Sequence, residues 1–225
     1  MVQAILFDFW GTLVENGIYP SPVRQVRYIL RLRVPFQEFI VKFEEAFMLK
    51  KFETLKAAFE NVCKEFDVNP PPFVIDKLIG MWNKNMLLAK PFPETIKTLE
   101  ELKKDYKLAI ISNTDNFSLE PVLDKFDLRK YFDAIILSYE AGYLKSNNKM
   151  FEEAMKKLGI KKKKECIMVG DSMESDIAGA AKAKIHAVLV DRRNRREYET
   201  KINTLDELKT FLEEKRWIND RLHLL

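Results

Sequence analysis

At 225 residues the chain has room for one large domain, or for a core domain carrying a smaller inserted one. It is 47% hydrophobic, enough to bury a core, but its apolar runs fall well short of the roughly 20 residues that cross a bilayer, which excludes a membrane-spanning helix. Charged residues make up 32% of the chain while the net charge is only +4. Lysines and glutamates are interleaved, a pattern of solvated helix faces that argues against nucleic acid as a partner.

The first residues, Met1 to Ala4, lack a basic region followed by an apolar segment, so no secretory signal is expected and the cytoplasm is the expected compartment. Cys63 and Cys166 lie far apart without metal-ligand spacing. They read as buried structural thiols, and no disulfide is expected between them.

In chain order, residues 3–9 form an apolar run that ends in Asp8 and is followed by Gly11 and Thr12, a buried strand with a polar turn at its carboxyl end. Residues 16–90 read differently. Phe36, Phe39, Ile40, Phe43 and Phe47 repeat at helical spacing, as do Leu55, Phe59, Val62 and Phe66. Pro70, Pro71 and Pro72 break the pattern before a further helix through Leu78 and Trp82. The spacing predicts a helical cap over 16–90, hinged near Gly17 and Pro20 on one side and Pro91 and Pro93 on the other. Its aromatic stripe reads as bundle core rather than a ligand box.

Beyond it, apolar strands at 107–112, 134–138, 166–170 and 187–191 alternate with helices at 93–103, 119–126, 149–158, 175–183 and 205–215. Residues 216–225 form an unassigned tail. Strands apolar across their whole middle suit a parallel sheet covered on both faces, and the alternation predicts a doubly wound α/β core built from residues 1–15 and 91–225.

Four polar clusters fall where strands end, the side on which open α/β sheets bind ligands. They are Asp8-Phe9-Trp10-Gly11-Thr12, then Ser112-Asn113, then Lys145 after the third strand, then Gly170-Asp171-Ser172-Met173-Glu174-Ser175-Asp176. In chain order, spacing and the place of the cap, the sequence resembles the haloacid dehalogenase superfamily over almost its whole length.

The resemblance implies a hydrolase with Asp8 as nucleophile. A carboxylate needs no activating base near neutral pH and can form a covalent intermediate. Lys145 would orient Asp8 and, with Ser112, stabilise the oxygens of a transferring group, while Thr12, Ser112, Asn113 and Lys145 would bind an anionic small-molecule substrate. Asp8, the backbone carbonyl of Trp10 and Asp171 would hold Mg²⁺, with Asp176 as ligand or neighbour. Taken singly, Asp8 and Asp176 could be capping residues and Lys145 a surface charge. A monomer or homodimer is expected.

Two departures pull in opposite directions. Superfamily phosphatases usually carry a general acid two residues after the nucleophile, where this chain has Trp10, whose indole cannot shuttle protons. That favours 2-haloacid dehalogenation, which releases halide without a proton. Asp171, Glu174 and Asp176 favour a metal-dependent phosphatase, since without a cation they would repel a haloacid. Phosphoryl transfer explains more of the retained residues, with aryl and acyl phosphates as the expected substrates. Arg24, Arg27, Arg31 and Arg33 are available to grip a substrate carboxylate, with no motif to choose among them. A non-catalytic binding protein is the third reading. The basic runs at Lys161 to Lys164 and Arg192 to Arg196 are read as solvated loops.

Overall fold

The structure is a computed structural model that describes residues 2–214. The expected tail at 216–225, and the last residue of the helix expected at 205–215, lie outside the described residues.

Strand β1 (Ala4–Phe7) leads into a short β2 (Val14–Glu15), and four helices follow: α1 (Pro22–Ile29), α2 (Phe36–Met48), α3 (Leu55–Glu65) and α4 (Pro72–Leu88). Strand β3 (Lys90–Pro91) pairs antiparallel with β2, so the chain leaves and re-enters the sheet region through one narrow neck. There follow α5 (Thr95–Leu102), β4 (Lys107–Ser112), α6 (Leu119–Lys125), β5 (Ala134–Leu137), α7 (Ser138–Ala141), α8 (Asn148–Leu158), β6 (Cys166–Gly170), α9 (Ala178–Ala183), β7 (His186–Val190), β8 (Lys201–Ile202) and α10 (Leu208–Glu213).

Six strands form one sheet in the order β5-β4-β1-β6-β7-β8, with every pairing parallel. The alternation of side chains in a strand explains why each run is apolar throughout. Ile5 and Phe7, Leu108 and Ile110, Ile167 and Val169, and Val188 and Val190 enter one apolar layer. Ala4 and Leu6, Ala109 and Ile111, Cys166 and Met168, and Ala187 and Leu189 enter the other. Burial of each larger aliphatic side chain contributes about 1.5–3 kcal/mol. The polar residues Lys107, Ser112 and His186 are terminal residues of their strands, and Asp8 and Asp171 sit just past strand ends.

The four inserted helices share a third apolar cluster. Phe39, Phe43, Phe47 and Phe59 are wholly buried there, and the rings of Phe43, Phe47 and Phe59 pack around Trp82 at centroid distances of 5.9, 4.9 and 5.7 Å. Gly17, expected as a hinge, is tightly packed: a Cβ there would lie 2.3 Å from the carbonyl oxygen of Asn85. Both cysteines are buried and unpaired. No helix among the described residues is long and apolar enough to cross a membrane.

Candidate active site

Asp8 follows β1, its N–H donating to Val169 O at 2.9 Å, and the chain then turns tightly through Leu13 N–H to Phe9 O at 3.0 Å. The turn depends on Gly11. Its φ is +84°, and a Cβ there would come within 2.6 Å of Asp171 Oδ2. Asp171 follows β6, and a π-helical turn over Met173–Ile177 comes next. In that turn Ile177 N–H donates to Ser172 O at 3.1 Å, and Ser172 N–H donates to Asp176 Oδ2 at 2.9 Å. Such insertions re-aim side chains, and this one turns Asp176 back towards Asp8. Lys145 lies between α7 and α8, where its N–H donates to Asn113 Oδ1 at 2.9 Å.

The four groups converge. Lys145 Nζ lies 2.5 Å from Asp8 Oδ1 and 2.5 Å from Asp176 Oδ1. Carboxylate oxygens of Asp8, Asp171 and Asp176 lie within 4.8 Å of one another. Asp8 is 5% exposed, Lys145 2% and Asp176 0%, so these charges interact with little screening by solvent. Burial pushes the Asp8 carboxyl up to about 6, against the pull of the Lys145 ammonium. Burial and the neighbouring Asp8 and Asp176 push Asp171 up to about 8. Burial disfavours the charged form of Lys145, but Asp176 and Asp8 outweigh it and hold the ammonium above its ordinary range. Three carboxylates facing one ammonium leave a deficit of positive charge. Hard oxygen donors at this spacing fit a small divalent cation such as Mg²⁺.

Outside the cluster lies a cavity of about 290 Å³. Asp8, Trp10, Asn113, Lys145, Asp171 and Asp176 line it from the sheet side. Arg24, Phe36, Ile40, Glu44, Met48 and Trp82 line it from the inserted helices. The α2 stripe is therefore two rows. Phe39, Phe43 and Phe47 enter the bundle core, as expected, whereas Ile40 and Glu44 face the cavity, and Phe36 and Met48 pack with the core and reach the cavity wall as well. The expectation of bundle core is corrected for Ile40, which lines the cavity, while Phe36 packs against the core and lines the cavity too.

Two of the substrate residues expected from sequence lie elsewhere. Thr12 is fully buried off the cavity wall, and its Oγ1 donates to Asp8 Oδ2 at 3.3 Å. Ser112 is also fully buried, with no hydrogen-bond partner for Oγ among the described residues; Asn113, Thr114 and Asp115 of the same loop reach the wall instead. Among the arginines of the insertion, Arg24 lines the cavity, stacked over Phe36 at 4.2 Å, while Arg27 is held by Val34 O at 2.6 Å.

Sequence reasoning missed several bracing residues. The run Arg192 to Arg196 is not simply a solvated loop. Arg192 donates to Thr12 O at 2.8 Å and to Glu94 at 2.7 Å, and Arg196 donates to the backbone carbonyl of Asp171 and to Asp191. The position of the run directly after a strand end was the available signal. Across the cavity, Trp82 Nε1–H donates to Ser118 Oγ at 2.9 Å and Asp115 Oδ2 at 3.2 Å, tying α4 to the sheet side. Glu44 Oε2 accepts from Asn113 Nδ2 at 2.9 Å. Nothing in an aromatic-rich helix marks one of its glutamates as facing inward, apart from the spacing of four.

A haloacid dehalogenase-like hydrolase model matches residues 2–184. The glyceraldehyde 3-phosphate phosphatase of Methanothermobacter thermautotrophicus is 29% identical over 202 residues, covering 85% of this chain and 86% of that one. The crystal structure of a HAD phosphatase from Thermococcus onnurineus is similar with a TM-score of 0.63 and 27% identity, over 96% of this chain and 100% of the other. A 2-haloacid dehalogenase from Pseudomonas syringae shares the fold at a TM-score of 0.63 and 20% identity, over 95% of this chain and 99% of that one. With the match spanning both the sheet and the inserted helices, and with acids and lysine converging where its strands end, the chain belongs to the haloacid dehalogenase-like hydrolases.

Proposed function

We propose that the protein is a Mg²⁺-dependent phosphatase of small phosphorylated compounds that uses Asp8 as a covalent nucleophile. One observation carries the choice of reaction: three carboxylates converge within 4.8 Å on a site with a single buried ammonium. A haloacid carboxylate entering such a site without a cation would meet repulsion, whereas a cation-bound phosphate would not. The relatives named as phosphatases support the same reading, and the dehalogenase likeness extends to the fold alone.

Asp8, Asp171 and the carbonyl of Trp10 would hold the cation. Asp176 stands beside them as a further candidate ligand, with one oxygen on Lys145 and the other on Ser172 N–H. When bound, Mg²⁺ supplies Lewis-acid neutralisation of phosphoryl oxygens. Asp8 attacks phosphorus in line, and water then hydrolyses the aspartyl-phosphate. Lys145 fixes Asp8 through Oδ1 while Thr12 holds Oδ2, and the ammonium offsets charge on the transferring group. The inserted helices act as a cap over residues 16–90 that excludes bulk water from this cavity.

Trp10 favours a second reading, 2-haloacid dehalogenation. Wild type and Asp8→Asn assayed on an alkyl phosphate, an aryl phosphate and 2-chloropropionate, each with Mg²⁺ and with EDTA, separate the two. The expected result is phosphate release that needs Mg²⁺ and Asp8. Chloride release that persists in EDTA would replace this reading with dehalogenation.

A further inference from the structure

Cleaving an alkyl phosphate needs a proton for the departing alkoxide, and the tryptophan after the nucleophile has none to give. The acids that line the cavity can be taken in turn. Asp8, Asp171 and Asp176 form the nucleophile and cation cluster. Asp115 is enclosed by Trp82 Nε1–H, Ser118 Oγ and the Phe117 N–H, the last at 2.8 Å. Glu174 is exposed beside Ser172. That leaves Glu44.

We infer that Glu44, reaching from α2 of the inserted helices, is the general acid and base of the reaction, in place of a residue on the nucleophile loop. The inference rests on the phosphatase reading above. Glu44 lines the same cavity as Asp8 and Lys145, and Asn113 fixes its orientation by donating to Oε2 at 2.9 Å. Asn113 is itself held to the Lys145 backbone, so Glu44 is registered on the nucleophile's own partner. Burial pushes the Glu44 carboxyl up to about 7; Lys145 and Asn113 oppose that shift, and Asp176 and Asp8 add to it. Arg24, Asp115, Asp171, Glu174 and Arg196 are the other charged groups that line the cavity. A carboxyl that keeps its proton near neutrality suits the protonation of an alkoxide.

The steps balance. As an Asp8 oxygen bonds to phosphorus, the bond from phosphorus to the leaving oxygen breaks, and that oxygen takes the Glu44 proton to become an alcohol. Glu44, now a carboxylate, accepts a proton from the water that attacks the aspartyl-phosphate. The bond from phosphorus to Asp8 then breaks, releasing phosphate and restoring both acids.

The test compares kcat/KM for glycerol 3-phosphate and 4-nitrophenyl phosphate in wild type, Glu44→Gln and Glu44→Asp. Nitrophenolate leaves without a proton, so Glu44→Gln should lower kcat/KM for the alkyl ester by about 10²–10⁴-fold and for the aryl ester by less than about 10-fold. Glu44→Asp should keep more of the alkyl activity than Glu44→Gln. With the aryl ester, Glu44→Gln should also accumulate phosphorylated enzyme, because the attacking water has lost its base. Equal losses on both esters would overturn the role of Glu44 while leaving the phosphatase intact. The wild type gives a check independent of any variant's folding: alkyl turnover within about 100-fold of aryl is expected, and a larger aryl preference would overturn the inference. Absence of phosphate release from both esters in the wild type would overturn the phosphatase reading and this inference together.

Discussion

Lys145 and Asp8 meet at 2.5 Å inside the protein, both almost wholly buried, with Asp176 on the far side of the same ammonium at 2.5 Å. The lysine links two strand ends that are distant in sequence, after β5 and β1, with the acidic turn after β6. An ammonium with two carboxylate partners is a fixed charge. The loop that delivers it is fixed in turn by Asn113.

Removing that charge leaves two buried carboxylates facing each other. Lys145→Met should lose phosphatase activity and destabilise the protein by about 3–5 kcal/mol, the usual cost of breaking a buried ion pair from one side. Urea denaturation in EDTA measures this. Adding Asp176→Asn should recover part of the stability and none of the activity; full additivity of the two losses would contradict the pairing.

Arg196 holds the Asp171 backbone through its carbonyl, and Asp191 holds Arg196. Arg196→Ala frees an acid proposed to hold the cation. Groups that orient a ligand are worth about 10–100-fold in metal affinity. The Mg²⁺ concentration for half-maximal activity should rise by that factor while kcat at saturating Mg²⁺ changes much less. An unchanged Mg²⁺ dependence would mean that Arg196 supports only the loop.

Without a cation, burial and the neighbouring carboxylates push the Asp8 and Asp171 carboxyls up from the ordinary 3.8, to about 6 and about 8. Between about pH 4 and pH 8 the folded protein therefore binds protons that the unfolded chain has released, and stability from these groups falls as pH rises. Mg²⁺ held by these acids would compete with those protons. The gain in Tm on adding Mg²⁺ should be small at pH 5 and grow towards pH 8. A gain independent of pH, read by thermal melts with and without EDTA, would argue against cation binding at these acids.

Trp82 contributes both a ring to the helical core and an N–H to Asp115 and Ser118. Burial raises the Asp115 carboxyl and its donors lower it, so losing a donor leaves an acid less satisfied. Trp82→Phe keeps much of the packing but drops the donor. It should cost about 1–3 kcal/mol. A smaller loss would show that Ser118 and the Phe117 N–H suffice.

The sheet was legible in the sequence because strands covered on both faces must be apolar at every position, so the Ile5 to Phe7 and Cys166 to Val169 runs stand out. The short strands β2, β3 and β8 were not, since two residues carry no periodicity. Asp8, Lys145, Asp171 and Asp176 were visible as polar residues at strand ends, and the structure brings them together. Thr12 and Ser112 show the limit: the Thr12 hydroxyl turns to Asp8 while that of Ser112 is buried without a partner among the described residues, and only packing decides between such outcomes. Glu44 was hidden because its meaning depends on how α2 is rotated against the core. That rotation is set by Phe39, Phe43 and Phe47 entering the bundle.

Acid quench during turnover of an alkyl phosphate with Mg²⁺, followed by borohydride reduction and peptide mass analysis, tests the central claim most directly. An aspartyl-phosphate at Asp8 would be reduced to homoserine at that one position, and Asp8→Asn would show neither modification nor phosphate release. Turnover with the Asp8 side chain unmodified throughout, and undiminished in Asp8→Asn, would contradict nucleophilic catalysis by this residue.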